Sequence, residues 1–388
     1  MEIKCNRTLL VQAMQVVQTV VASRTPIPIL QNVKLTASKK ELQIFGSDLE
    51  VGIRYTVPLI ASEGEGSAVV PADKIASYVR EMSDDEVRIV LKAAGAEIVG
   101  ANCNLNIAGS EPADFPAFPE FDVKSDVRVA AKDLVEMAQK TVFAASREPT
   151  RYALTGVLLE TQDDELRMVA SDGKRLAYAK RQVDRGLGSK FHIVVPPKAL
   201  QLLEKSAAAR GLLSGPTRPE GGKGAKEKEK DKEGFVRLNL EENQVKMLLD
   251  GVMIFSRLVE GSFPNYENVI PKGNDKRVQV ATEELAAAMR RLSVLTTDRM
   301  RAVTLNLAKG KLLLVSKEKE VGEVHEEMAV KYDGDDVLAS FNADYFLDVL
   351  RVVGCPEVTL ELKDPETACV IKAKHDFVYL VMPLSLPE

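Results

Sequence analysis

Three stretches decide the fold: LLVQAMQVVQTVVAS (9–23), LVEMAQKTVFAAS (134–146) and LAAAMRRLSVLT (285–296). In each, apolar residues recur every three or four positions, the period of a helix with one buried face. Each is followed by an alternating stretch that reads as paired strands: NVKLTASKKELQIFGSDLEVGI (32–53), ALTGVLLETQDDELRMVASDGKRLAYA (153–179) and AVTLNLAKGKLLLVSKEKEVGEV (302–324). A strand end then runs into a second short helix, as PADKIASYVREM (71–82), PPKALQLLEK (196–205) and NADYFLDVLRVV (342–353). The copies begin roughly 125 and then about 150 residues apart, too far for a solenoid and typical of a triplicated domain. A tripled domain usually builds a surface or a ring, so geometry is the first expectation and catalysis the second.

In the first copy Val33, Leu35, Leu42, Ile44, Val51 and Ile53 alternate with polar neighbours, as one buried sheet face requires. Two amphipathic helices per copy would cover that face. The predicted class is therefore α+β, with two helices packed on antiparallel sheets in each repeat. The turn-rich segments GSEPADFPAFPEFDVKSD (109–126) and EGSFPNYENVIPKGNDK (260–276) share an FP punctuation and precede the second and third copies. They place the domains at 1–123, 126–262 and 263–388. The middle copy also carries an insert at about 206–234, rich in Gly, Lys and Glu and almost free of apolar residues after Leu213. Such a segment buries too little to offset its ordering entropy, so a mobile loop is expected.

The 388 residues have room for two to four domains. With 52 basic against 57 acidic residues the net charge is −5, which excludes a conventional nucleic-acid binder unless the positive charge is gathered on one surface. The helical stripes leave Arg7, Lys74, Arg80, Lys132, Lys140, Arg147, Lys198, Lys205, Arg290, Arg291 and Arg351 on the outer faces, with Arg24 just past the first helix. Acidic residues crowd hairpin tips instead, among them Glu63, Glu65, Asp163, Asp164, Asp335 and Asp336. No helix has the dense basic run of a groove reader, so any DNA contact should be to phosphates and indifferent to sequence. Gln12, Gln15 and Gln18 interrupt the apolar positions of the first helix, which argues against a signal peptide, and no stretch is apolar enough to span a bilayer; a cytoplasmic protein is expected. Cys5, Cys103, Cys355 and Cys369 form no CxxC pair and the three histidines are isolated, so neither metal nor cofactor is expected. SDGKR (171–175) lacks a nucleophile elbow, and GGKGAKEK (221–228) lacks the context of a phosphate loop. Nothing assembles into a catalytic constellation, so no enzyme is expected.

A further set of short patterns occurs in order along the chain: RTPIPILQNVKL (24–35), GSDLEVGI (46–53), VPADKI (70–75), ADFPAFP (113–119), TRYALTGVLLE (150–160), ASDGKRLA (170–177), SFPNYENVIP (262–271), FNADYFLDVL (341–350) and VMPLSL (381–386). Together with the threefold repeat they make the chain resemble the bacterial DNA polymerase III beta subunit family, the sliding clamps, over essentially its whole length. The resemblance implies three DNA-clamp domains per subunit and a head-to-tail homodimer forming a six-domain ring. Such a ring encircles double-stranded DNA without sequence specificity and acts as a processivity factor. Its implied partners are the replicative DNA polymerase alpha subunit, the clamp loader, and other polymerases and repair proteins with clamp-binding motifs. Matched position by position, the residues at DNA would be Arg24, Arg80, Arg147, Arg151, Tyr152 and Lys198. The peptide-binding pocket would use Leu154, Ser171, Gly173, Lys174, Arg175, Leu176, Pro264, Val269, Asn342, Tyr345, Leu380, Met382, Pro383 and Leu384. The dimer contact would set Leu105 and Ile107 against Val294 and Leu295 of a second subunit. Asn268 and Ser385 replace positions often basic in relatives, and Pro387–Glu388 extend the usual end, which implies a shifted motif preference. The competing reading is a clamp-fold scaffold that binds partner peptides without encircling DNA.

Overall fold

The computed structural model describes residues 1–388 apart from residue 23 and segments 123–125, 163–164, 183–190, 214–233, 296–300, 319–320 and 386–388. Among the described residues every copy runs strand, helix, four strands, helix, three strands. The first comprises β1 (Glu2–Asn6), α1 (Arg7–Val17), β2 (Asn32–Ala37), β3 (Glu41–Ser47), β4 (Val51–Ser62), β5 (Gly66–Pro71), α2 (Ala72–Glu81), β6 (Glu86–Lys92), β7 (Gly95–Val99) and β8 (Asn104–Ala108). The second comprises β9 (Asp126–Ala130), α3 (Ala131–Thr141), β10 (Val157–Gln162), β11 (Glu165–Ser171), β12 (Arg175–Gln182), β13 (His192–Val195), α4 (Pro197–Ala209), β14 (Phe235–Glu241), β15 (Gln244–Leu249) and β16 (Val252–Arg257). The third comprises β17 (Lys276–Ala281), α5 (Thr282–Ser293), β18 (Ala302–Ala308), β19 (Lys311–Glu318), β20 (Gly322–Ala329), β21 (Val337–Asn342), α6 (Ala343–Val352), β22 (Glu357–Leu362), β23 (Cys369–Ala373) and β24 (Phe377–Val381).

Within a copy, the first strand pairs with the last three as one sheet, and the middle four form another. The chain groups into two compact units, one containing Met1–Val135 and Lys198–Leu258, the other Glu136–Gly186, Lys190–Pro197 and Val259–Glu388. The first unit holds both sheets of copy one and the β9–β14–β15–β16 sheet of copy two, joined into a 12-stranded sheet where β4 meets β16. In the second unit β12 meets β24, making an eight-stranded sheet, and β21–β18–β19–β20 stands as a four-stranded sheet.

The helices form for the reason their period gives. In α1, Leu10, Met14 and Val17 are fully buried, each contributing about 2 kcal/mol by leaving water, against β3 and β4. Asn6 caps the helix by accepting the Leu9 N–H at 3.1 Å. In α5 the buried stripe is Leu285, Ala288, Met289 and Leu292, packed on β19 and β20. The alternating residues Val33, Leu35, Leu42, Ile44, Val51 and Ile53 are all buried, so the α+β reading with two helices per repeat holds.

Two expectations are corrected. Helix α4 continues through Ala209, with Ser206 and Ala207 buried, so the polar insert begins later than 206: the alanines propagate the helix and Ser206 returns its hydroxyl to the Leu202 carbonyl at 2.7 Å. Residues 214–233 of the insert, like the Asp163–Asp164 tip and Pro387–Glu388, lie outside the described residues. Lys140 is not on a solvated face. It is 8% exposed, its ammonium 5.9 Å from the Phe377 ring centre, and burial, helped by nearby Arg181, lowers its pKa.

Candidate functional site

In the second unit, antiparallel pairing of β12 with β24 sets Leu176 opposite Leu380. Over this pair opens a cavity of about 180 Å³ lined by Leu154, Ser171, Gly173, Arg175, Leu176, Phe263, Pro264, Tyr266, Val269, Leu380 and Met382. Behind it, Leu158, Val169, Val194 and Val370 complete a buried cluster. Val269 and Met382 are 50% and 40% exposed, so apolar surface reaches the mouth. An open pocket with apolar walls and few polar groups is built for apolar side chains of a ligand.

The turn between β11 and β12 forms one rim. Ser171 Oγ accepts the Gly173 N–H at 3.1 Å and donates to the Arg175 carbonyl at 2.8 Å. Asp172 Oδ1 accepts the N–H groups of Lys174 and Arg175 at 2.9 and 3.0 Å. Gly173 has φ 85°, a conformation glycine adopts at little cost. SDGKR is thus turn chemistry, with the serine hydroxyl committed to backbone.

Arg175 holds this rim in place. Its Nε donates to Asp172 at 3.0 Å, Nη1 to Asp348 on α6 at 2.6 Å, and Nη2 to the Phe143 carbonyl at 2.8 Å. Its guanidinium lies 4.6 Å from the Tyr345 ring centre. Burial alone would lower its pKa, but the neighbouring acceptors more than compensate and the net shift is upward. Its planar fork therefore crosslinks three segments of the pocket's surroundings.

Nine residues expected at the pocket line this cavity: Leu154, Ser171, Gly173, Arg175, Leu176, Pro264, Val269, Leu380 and Met382. The other five flank it. The Lys174 carbonyl accepts the Met382 N–H at 2.9 Å, the Leu384 N–H donates to Ser340 at 2.7 Å, and Pro383 between them is half-buried. Asn342 caps α6 through the Asp344 N–H at 2.9 Å, and Tyr345 stacks on Arg175. Phe263 and Tyr266 line the cavity but went unread in the sequence. The signal was there, since FPNY (263–266) repeats FPAF (115–118) of the earlier linker. Tyr266 donates its hydroxyl to Glu160 at 2.6 Å, and burial raises its pKa.

Of the residues expected at DNA, Arg24, Arg80, Arg147 and Tyr152 are exposed, Tyr152 by 74%. Arg80 lies in the last turn of α2, beside Arg7, whose Nη1 donates to the Arg80 carbonyl at 3.1 Å. Arg80, Arg151 and Lys198 have protein partners: Arg80 reaches Glu81 at 3.1 Å, Arg151 reaches Glu148 at 2.8 Å and the Asp172 carbonyl at 2.7 Å, and Lys198 reaches Asp48 at 2.5 Å and the Val20 carbonyl at 3.3 Å. At the expected dimer contact, Leu105 is half-buried and Ile107 buried on β8, while Val294 is 80% exposed just past α5, with Leu295 half-buried beside it.

Among the described residues no cluster of His, Cys, Asp and Glu is arranged to hold a metal, and no helix is long and apolar enough to cross a membrane. The four cysteines are free, and burial pushes the Cys5 thiol up to about 12.

Three family models match in sequence: the DNA polymerase III beta subunit N-terminal domain over residues 1–119, its central domain over 128–211 and its C-terminal domain over 267–385. The beta sliding clamp of Pseudomonas putida is 30% identical over 396 aligned residues, covering 100% of both chains. That of Vibrio cholerae is 28% identical, again over 100% of both. A crystal structure of the sliding clamp from Pseudomonas aeruginosa bound to griselimycin superposes with a TM-score of 0.87 at 29% identity, and one of the Bacillus subtilis clamp with 0.87 at 26%, each covering 100% of both chains. The threefold fold and these full-length likenesses agree: the chain belongs to the DNA polymerase III beta subunit family, the sliding clamps that serve as processivity factors in DNA replication.

Proposed function

We propose that two copies of this chain close head to tail into a six-domain ring around duplex DNA, and that the pocket tethers the replicative polymerase, the clamp loader and other partners by short apolar motifs. The observation that carries this is a junction made twice and left open once. The β4 strand of copy one pairs with β16 of copy two, and the equivalent β12 of copy two pairs with β24 of copy three. The equivalent third pair is β20 with β8, and among the described residues each of these ends its sheet, β20 bonded only to β19 and β8 only to β7. An unpaired edge is a template for another chain. Antiparallel pairing of β20 with β8 of a second copy, made reciprocally, completes six like junctions in a closed dimer. Val294, exposed at the end of the helix packed on β20, supplies apolar cover beside that edge.

The three repeats are taken as domains 1–123, 126–262 and 263–388. Retention on DNA is topological, so the exposed Arg24, Arg80, Arg147 and Tyr152 make weak phosphate contacts that permit sliding. The chain performs no catalysis of its own and works in the cytoplasm at the nucleoid. Full-length similarity to sliding clamps favours this reading over a scaffold that never encloses DNA. The test is retention on nicked circular DNA after loading by the cognate clamp loader with ATP, then a salt wash and linearisation. Loss on linearisation alone is expected. Equal salt-resistant retention on both forms would replace the ring by direct binding, and a monomeric mass with no retention would favour the scaffold.

A further inference from the structure

The pocket has a counterpart at the junction within the first unit, built on the same backbone. The turn Ser47–Val51 matches Ser171–Arg175, with Leu49 at φ 78° where Gly173 has 85°. Gly52 lies opposite Phe255 on β16 as Leu176 lies opposite Leu380 on β24. Phe45 stands opposite Arg54 as Val169 stands opposite Tyr178. The linker supplies Phe118 where the later one supplies Tyr266, and even the stacking recurs, Arg54 lying 6.0 Å from the Phe118 ring centre and Tyr178 5.7 Å from that of Tyr266.

What differs is the filling. A Cβ on Gly52 would overlap the Phe255 ring, so that ring fills the space that the Leu176 side chain takes at the second junction. Phe118 packs edge-on against it at 5.0 Å and against Phe45 at 5.5 Å. All three rings are half-buried, so they plug a surface site and do not form a central core.

We propose that the first junction is a second motif-binding site of the same chemical class, an acceptor of short peptides with large apolar anchors, which the chain fills with its own Phe255 and Phe118. The inference rests on the reading of the open pocket as a peptide site. It explains why one kind of junction is open in the second unit and filled in the first: the aromatic plug sets the valence. In the first unit the larger rings of Phe255 and Phe45 stand where Leu380 and Val169 stand in the second, and effective concentration in cis keeps the junction filled.

The test counts sites in the full chain with a fluorescein-labelled peptide bearing two adjacent large apolar side chains. Wild type is expected to bind one peptide per chain, and Val269→Asp, a charge at the exposed mouth of the open pocket, none. Phe255→Ala with Phe118→Ala is expected to bind two, and the same pair in the Val269→Asp background one, with affinity within about tenfold of the native site. A folded double variant that still binds only one peptide overturns the latent site. Absence of binding to wild type overturns the pocket reading instead, while the count in the Val269→Asp background still decides the latent site. Should Phe255→Ala fail to fold, Phe118→Ala alone, in the linker, exposes the same edge, and an unchanged count there overturns the proposal.

Discussion

The turns Ser47–Val51 and Ser171–Arg175 use one design at two junctions and hold those junctions differently. In both, the serine hydroxyl accepts an N–H two residues on, at 3.0 and 3.1 Å, and the first oxygen of the aspartate caps the turn. The aspartate's other oxygen marks the divergence. Asp48 takes the ammonium of Lys198 from α4 at 2.5 Å, and that side chain is 42% exposed. Asp172 takes Arg175, which is 11% exposed and reaches on to Asp348 and the Phe143 carbonyl. A lysine makes a point contact, whereas an arginine fork fixes the orientation of everything it touches. The junction with an open pocket has the crosslinked rim, and the junction filled with aromatic rings has the loose one. An empty cavity needs walls held from behind, while a filled one is supported by its contents.

The strongest way to break this contrast is Arg175→Ala. It leaves Asp172 and Asp348, 18% and 31% exposed, facing each other without their cation, and is expected to cost about 3 kcal/mol, read as a lower urea midpoint. Peptide affinity should fall with it, because the rim loses its tie to α6. Arg175→Lys restores the charge without the fork and should recover only part of both. If Lys restores both fully, charge and not geometry holds the rim.

Much of this was legible in the sequence because it repeats. Three apolar helices, three hairpins and two FP linkers carry period and order, and those suffice for an α+β triplication. Nine lining residues of the cavity lay in patterns that could be matched. What stayed hidden depends on pairing across long separations. Pattern places Arg175 at the pocket, but its part as a crosslink shows only when Asp348, on another repeat, is brought beside it. Lys140 sits at a helical position that periodicity leaves outside, yet the Phe377 ring of the third copy covers it. Gly52 looks like an ordinary strand glycine until register sets Phe255 against it. Period is local information, and partners are not.

A smaller effect comes from the third residue of each turn. Leu49 and Gly173 share the left-handed conformation, which costs a residue with a side chain about 1 kcal/mol. Leu49→Gly is therefore expected to be neutral or stabilising by up to about 1 kcal/mol, the relief being offset by greater freedom of the unfolded chain. Gly173→Leu should destabilise by at least that much, since its Cβ would also displace Arg151 from the Asp172 carbonyl. Opposite signs in thermal denaturation would show that the two turns share a backbone need and differ in how it is met. A loss in both would assign Leu49 a packing role.

The smallest effect separates two readings of Lys198. It lies in a segment matched to DNA contacts, yet its ammonium is already held by Asp48 and the Val20 carbonyl. Lys198→Met keeps the stem and removes the charge. As a half-exposed pair it should contribute under about 1 kcal/mol to stability. The informative readout is the salt dependence of retention on circular DNA. Removing one cation that neutralises a phosphate should flatten the log–log slope by about 0.9, so Arg24→Ala with Arg147→Ala, both exposed, should flatten it by nearly twice that. Lys198→Met is expected to leave the slope unchanged, because an amine neutralised by Asp48 displaces no counterion. A slope change equal to that of one arginine would mean that DNA draws Lys198 away from Asp48. The loose turn would then answer to DNA, and the crosslinked one at the pocket would not.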